Sequence, residues 1–188
     1  MKTDCLSDCV HAKAVCRSPT RWCWHARRPM GQVASGLQYV HNHRLIHCDV
    51  KPENMLLGPR GQVWLTDFGI ARSESAVRNK QFKTYELIGS ASYMAPEQIN
   101  GSPRHSSDQY ALAAVIYQWL SGQPLFQGTG LQVCLQHLSA PPLRLRDRVP
   151  SISPTVERVV LKALSKDPFQ RYAHVQEFAY ALQQASLY

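Results

Sequence analysis

Two short polar clusters sit inside apolar sequence. His47-Cys48-Asp49-Val50-Lys51-Pro52-Glu53-Asn54 follows Leu45-Ile46 and leads into Met55-Leu56-Leu57. Asp67-Phe68-Gly69 follows Val63-Trp64-Leu65. Two acids, a lysine and an asparagine are thus delivered at strand or loop ends backed by core. Phosphoryl transfer to a hydroxyl uses such a set: an acid receives the proton, a cation offsets the moving charge, and oxygen donors hold Mg²⁺.

Something must bring these residues together. Val33, Leu37 and Val40 recur at helical spacing and predict a helix over Gln32 to His41. Leu45-Ile46-His47 reads as a short strand. Met55–Leu57 and Val63–Leu65 read as two more, joined by Gly58-Pro59-Arg60-Gly61, which is good turn chemistry. A hairpin of this kind puts Asn54 and Asp67 close enough to share a cation. Further on, Leu112, Val115, Ile116 and Leu120 mark an apolar helix opened by Ser107-Asp108 and ended by Gly122 and Pro124. Leu131 to Leu138, Val156 to Leu164 after Ser153-Pro154, and Val175 to Leu182 predict three more. The expected fold is mainly α with small β-hairpins. Residues 1–30 show neither helical nor strand periodicity and read as an atypical leader, disordered or loosely packed. Residues 31–188 read as the folded unit.

With Ala95-Pro96-Glu97 added, the chain resembles the large, C-terminal lobe of a serine/threonine protein kinase of the bacterial, eukaryotic-like type. The family's catalytic loop, D-F-G and A-P-E motifs recur in order as His47-x-Asp49-x-Lys51-x-x-Asn54, Asp67-Phe68-Gly69 and Ala95-Pro96-Glu97. The resemblance implies roles. Asp49 would be the catalytic base, and Lys51 would reach the γ-phosphate and favour Ser/Thr over Tyr acceptors. Asn54 and Asp67 would ligate Mg²⁺, and Leu56 would form the apolar floor under adenine. Glu53 is assigned with Lys51, Asn54, Leu56 and Asp67 to ATP binding. Ser90, where the family usually has threonine, would bridge Asp49 and Lys51. Glu97 would form a buried ion pair with Arg171, and Asp108 would accept hydrogen bonds from the backbone of the catalytic loop. ATP and Mg²⁺ are the implied cofactors and a Ser/Thr-bearing protein the implied substrate.

Two features depart from the family pattern. Cys48 stands where an arginine usually precedes the catalytic aspartate, and a cysteine cannot pair with a phosphorylated activation segment. The glycine-rich loop, the strand lysine and its acidic partner, which form the small lobe's roof over ATP, do not occur before Gly31. The expectation is a large lobe lacking its small lobe, with an N-lobe missing or supplied separately.

Composition narrows the remaining classes. The 188 residues carry net charge +8, with six Lys/Arg against two Asp in residues 1–30. The remainder is only mildly basic and has no interleaved Arg–aromatic stripe, so nucleic acid is not expected as a partner. No run reaches the roughly 18–20 apolar residues of a membrane span, and the N-terminus has no continuous apolar h-region. A cytoplasmic location with reduced cysteines is expected. Among Cys5, Cys9, Cys16 and Cys23 only the first two have paired-ligand spacing, so no zinc site is expected. Two function classes stand against each other. One is a kinase catalytic lobe that is inactive as this chain alone. The other is a truncated pseudokinase serving as a binding or scaffold module.

Overall fold

The computed structural model describes residues 19–68, 72–73 and 91–187, with the backbone alone at 19–28, 60, 72 and 73. Helix α1 spans Pro19–Asn42. Val33, Leu37 and Val40 lie on its buried face together with Met30 and Ala34. The helix begins well ahead of the expected Gln32, so residues 19–30 of the supposed leader are helical. Helix propagates cheaply from a well-packed segment, and the Arg- and Trp-rich stretch ahead of Met30 carries no apolar stripe that would betray it. Pro29, inside the helix, removes one intrahelical hydrogen bond, which further disguises the start. Residues 1–18 lie outside the described residues.

Two small antiparallel ladders follow. β1 (Leu45–Ile46) pairs with β4 (Arg72–Ser73), Leu45 opposite Ser73 and Ile46 opposite Arg72. Nothing in the polar stretch after Gly69 announces β4, because such a pair is held by backbone groups rather than by side-chain alternation. β2 (Met55–Leu57) and β3 (Val63–Leu65) form the expected hairpin, with Met55 opposite Leu65. Its turn is closed by the Gly58 N–H donating to the Gln62 carbonyl at 2.8 Å. A Cβ on Gly58 would stand 2.8 Å from the Trp64 ring, so the indole lies directly on the bare glycine. Gln32 fixes the hairpin to α1: its Oε1 accepts from Val63 N–H at 2.8 Å and its Nε2 donates to the Gly61 carbonyl at 3.2 Å.

The remaining chain is helical: α2 (Pro96–Ile99), α3 (His105–Ser121), α4 (Gly130–Ser139), α5 (Leu145–Arg148), α6 (Pro154–Ala163) and α7 (Val175–Ala185). α3 is the centre of the core. Every residue from Ser107 to Tyr117 is buried, as expected of a helix covered on all sides. It ends at Gly122, whose φ of +71° suits glycine at a helix C-terminus. α1 and α6 pack on α7, and α3 meets α1, α6 and α7. Among the described residues no helix is long and apolar enough to cross a membrane.

Two buried polar groups stabilise this core, the first of them built on Glu97 of the Ala95-Pro96-Glu97 motif. Arg171 and Glu97 form the ion pair that the sequence suggests, with Nη1–Oε1 at 2.7 Å and Nη2–Oε2 at 2.8 Å. Arg171 also donates to the carbonyls of Ser165, Ser106 and Lys166, so all five of its N–H groups are used. Ser107 Oγ donates to Glu97 Oε1 at 2.7 Å. The second group is His137 on α4, fully buried. Burial, and then the neighbouring Lys166 ammonium, lower its pKa from 6.5 to about 4.

Two outcomes are expected. Arg171→Met should lower stability by about 3–5 kcal/mol, since Glu97 is left buried and uncompensated. Adding Glu97→Leu should recover much of that loss in urea unfolding, and simple additivity would show the pair to be uncoupled. For His137 the folded pKa lies below the unfolded value, so the unfolded chain binds the extra proton. Its contribution is therefore intact above pH 6.5 and falls by up to about 3 kcal/mol as pH drops towards 4. Lys166, lowered to about 8, titrates above that window. His137→Phe should flatten the acid limb relative to the parent chain, and an unchanged limb would count against a neutral buried imidazole.

Candidate functional site

The catalytic-loop residues are held by one carboxylate. Asp108, in the first turn of α3, is buried. Its Oδ2 accepts from His47 N–H at 2.9 Å and from His41 Nε2 at 2.7 Å, and its Oδ1 accepts from Cys48 N–H at 2.9 Å. From the other side Gln98 Nε2 donates to the Cys48 carbonyl at 2.6 Å. Both groups of the Cys48 peptide are therefore fixed, and Cys48 is held at φ +66°. A left-handed conformation costs a non-glycine residue roughly 1–3 kcal/mol and persists only when its surroundings over-determine it. Here they do, and the resulting bend presents Asp49 just beyond it.

Asp49 is almost buried and two partners converge on its Oδ2. Lys51 Nζ lies at 2.6 Å and Asn54 Nδ2 at 3.0 Å. Asn54 Nδ2 also donates to the Asp49 carbonyl at 2.8 Å. With two acceptors facing one end of the amide, that end must be the nitrogen. Oδ1, the hard oxygen donor, then points away from Asp49. Lys51 is extended and precedes a 3-10 turn, Pro52–Asn54, opened by proline. Glu53 is exposed on that turn.

Asn54 and Asp67 flank the hairpin at its open end, Asn54 before β2 and Asp67 two residues after β3. Thr66 ties the two together, its N–H and Oγ1 donating to the Asn54 carbonyl at 2.8 and 3.2 Å. Asp67 is exposed, with φ +62°, a conformation aspartate tolerates better than most residues. The chemistry of this donor set, one amide oxygen and one carboxylate, fits Mg²⁺. Leu56, Trp64 and Phe68 are 51%, 54% and 45% exposed, an apolar rim beside these polar groups.

His47 joins the two clusters. The Asp49 N–H donates to its Nδ1 at 3.3 Å, so Nε2 carries the hydrogen that reaches the Thr66 carbonyl at 3.1 Å. Its ring lies 4.7 Å from that of Phe68. Of the residues singled out from sequence, Asp49, Lys51 and Asn54 are brought into direct contact. Glu53, Leu56 and Asp67 lie on the same turn and hairpin. Ser90 lies outside the described residues. Sequence reasoning passed over His41 and Gln98. His41 follows Leu37 by four residues, so its place on the buried stripe was readable. Gln98, one residue past A-P-E, carried no signal.

The family described as "Protein kinase domain" matches residues 1–184. The chain is 42% identical over 156 residues to the serine/threonine-protein kinase PknF of Mycobacterium tuberculosis, covering 80% of this chain and 32% of that protein. It is 36% identical over 174 residues to PknB of the same species, covering 92% of this chain and 27% of the relative. It is 35% identical over 150 residues to PrkC of Bacillus subtilis, covering 79% and 23%. The chain thus spans about a quarter to a third of the length of these curated relatives. The family match begins ahead of Gly31, where the motifs gave out.

Asp108→Asn tests the anchoring carboxylate. An amide can accept at only one oxygen and turns its NH₂ towards an N–H donor, so a loss of about 3 kcal/mol or more is expected. The amides of His47 and Cys48 should lose their protection against hydrogen exchange. Unchanged protection at those two would show that Asp108 does not hold the loop.

Proposed function

Because this chain belongs to the protein kinase family, we propose that it carries the catalytic-loop half of a site that moves the γ-phosphoryl group of Mg-ATP to Ser or Thr hydroxyls of proteins. The observation that carries the reading is the convergence of Lys51 and Asn54 on one carboxylate oxygen of Asp49. Asp49 takes the proton of the acceptor hydroxyl as its oxygen bonds to the γ-phosphorus and the bond to the β–γ bridging oxygen breaks, releasing ADP. Lys51 exchanges Asp49 for the γ-phosphate and offsets its charge. Asn54 Oδ1 and the Asp67 carboxylate hold the metal, with Ser90 as a further bridge between Asp49 and Lys51. Bound there, Mg²⁺ neutralises phosphate charge. Leu56 supports adenine, and Glu53 flanks the nucleotide.

The 188 residues encode no glycine-rich loop and no V-A-I-K lysine. Positioning supplies most of the catalysis in this chemistry, so the reading takes this polypeptide by itself as unable to turn over. A second reading, a binding module without catalysis, draws support from the exposed Leu56, Trp64 and Phe68.

The 188-residue chain is expected to transfer no label from ATP to a generic basic protein. Joined ahead of Pro19 to the small lobe of a bacterial relative, so that α1 stays whole, it should transfer label. Asp49→Asn in that fusion should lower the rate by about 10²–10⁴-fold. An Asp49-dependent rate from the unfused chain would sink the half-site reading. A folded fusion that binds Mg-ATP without transfer would favour the binding module.

A further inference from the structure

α4 contributes none of the motif residues, yet its one buried polar side chain reaches the segment next to the site. His137 Nε2 lies 3.1 Å from the Ser92 carbonyl, and its Nδ1 lies 2.9 Å from the Tyr110 hydroxyl on α3. A carbonyl can only accept, so Nε2 carries the hydrogen and Nδ1 accepts from the Tyr110 O–H. The ring is fully used. Phe126 meets it edge-on at 4.9 Å and Tyr110 at 5.6 Å.

The backbone of residue 137 is fixed as well. Lys166 Nζ donates to its carbonyl at 2.7 Å and to that of Gln136 at 3.1 Å, and sits 4.7 Å from the Phe126 ring centre. Lys166 thus satisfies carbonyls in the last turn of α4. The imidazole is therefore placed by α3, by Phe126 and by Lys166 together.

Ser92 belongs to the 3-10 turn Ala91–Tyr93, immediately after Ser90 and before Ala95-Pro96-Glu97. That turn has a second attachment to α3, where the Tyr93 hydroxyl donates to Gln118 Oε1 at 2.7 Å. Tyr93 is fastened by its side chain. Ser92 is fastened by its carbonyl, which only a donor from outside the turn can hold.

We infer that His137 is a positioning residue for the protein substrate: Gly89 to Met94 resembles the stretch that in this family cradles the substrate beside its acceptor, and by holding the Ser92 carbonyl His137 sets the height of the turn in that stretch, and so the register of the acceptor hydroxyl on Asp49. The inference rests on the kinase reading above. It assigns His137 an effect on peptide recognition and none on nucleotide binding, because among the described residues its hydrogen bonds and ring contacts run to Ser92, Tyr110 and Phe126 and not to the hairpin.

The test compares the 188-residue chain and its small-lobe fusion with two variants. His137→Phe keeps ring volume and edge-on packing and removes both hydrogen bonds. His137→Gln can donate to Ser92 and accept from Tyr110. In the 188-residue chain His137→Phe should quicken exchange of the Met94 amide, which closes the turn onto the Ala91 carbonyl, by about tenfold, the worth of one buried hydrogen bond. The Ile99 amide, bonded to Ala95, should be unaffected. In the fusion the peptide KM should rise by about tenfold with the Mg-ATP KM within about twofold, and His137→Gln should restore most of the difference. Unchanged Met94 exchange and peptide KM in His137→Phe would overturn the inference. So would a general quickening across α3 and α4 with equal losses for peptide and nucleotide, which is what a purely structural residue gives. A parent fusion without transfer would refute the kinase reading instead, and Met94 exchange would still decide whether His137 holds the turn.

Discussion

The structure depends on a buried negative charge at Asp108. A carboxylate taken from water must be repaid by donors, and an unpaired one is intolerable in a core. Asp108 obtains them from two backbone amides of the catalytic loop and the ring of His41. Its position in the first turn of α3 adds the favourable end of the helix dipole. Because backbone amides supply most of the compensation, the conformation of residues 47 and 48 is not adjustable. The positive φ of Cys48 is held by the bonds of its backbone N–H to Asp108 and of its carbonyl to Gln98.

The same turn of α3 also anchors the segment after A-P-E. Ser106 accepts from Arg171 through its carbonyl, and Ser107 donates to Glu97 through its hydroxyl. Three consecutive residues thus hold the Glu97–Arg171 pair on one side and the catalytic loop on the other. Gln98, next to Glu97, closes the circuit by bonding the Cys48 carbonyl. The two buried charge systems share a support, so displacement of one bears on the other. Behind that support α3 is packed on every side, which makes it a fixed reference for both.

Much of this was legible in the sequence. The hairpin announced itself through apolar strands and a glycine–proline turn, and α3 through its apolar content and the closing Gly122. Asp49, Lys51 and Asn54 were readable because a tight loop keeps their spacing short. Other parts were not. β4 depends on backbone pairing with a partner far away in sequence, which leaves no pattern in Arg72–Ser73. The early start of α1 was hidden by Pro29 and by the lack of a stripe before Met30. Gln98 and His137 are polar residues whose roles come from what packs against them, and no local rule distinguishes them from solvent-facing neighbours. His41 was the accessible miss, a titratable residue placed on an otherwise apolar face.

The arrangement around Asp49 also bears on how the site could work. Lys51 and Asn54 both contact the same carboxylate oxygen, yet they differ in how firmly they are placed. Asn54 is buried and fixed by a second bond to the Asp49 backbone. Lys51 is partly exposed and carries its ammonium on a flexible four-carbon stem. On the kinase reading, an arriving phosphate would draw Lys51 away, since it offers more charge than one carboxylate. Asn54 would stay. The carboxylate of Asp49 would then exchange the Lys51 ion pair for the acceptor hydroxyl while keeping the Asn54 amide as a donor. On that reading the two partners of Asp49 part company because Lys51 reaches it from a long, partly exposed stem, whereas Asn54 is buried and bonded to it twice.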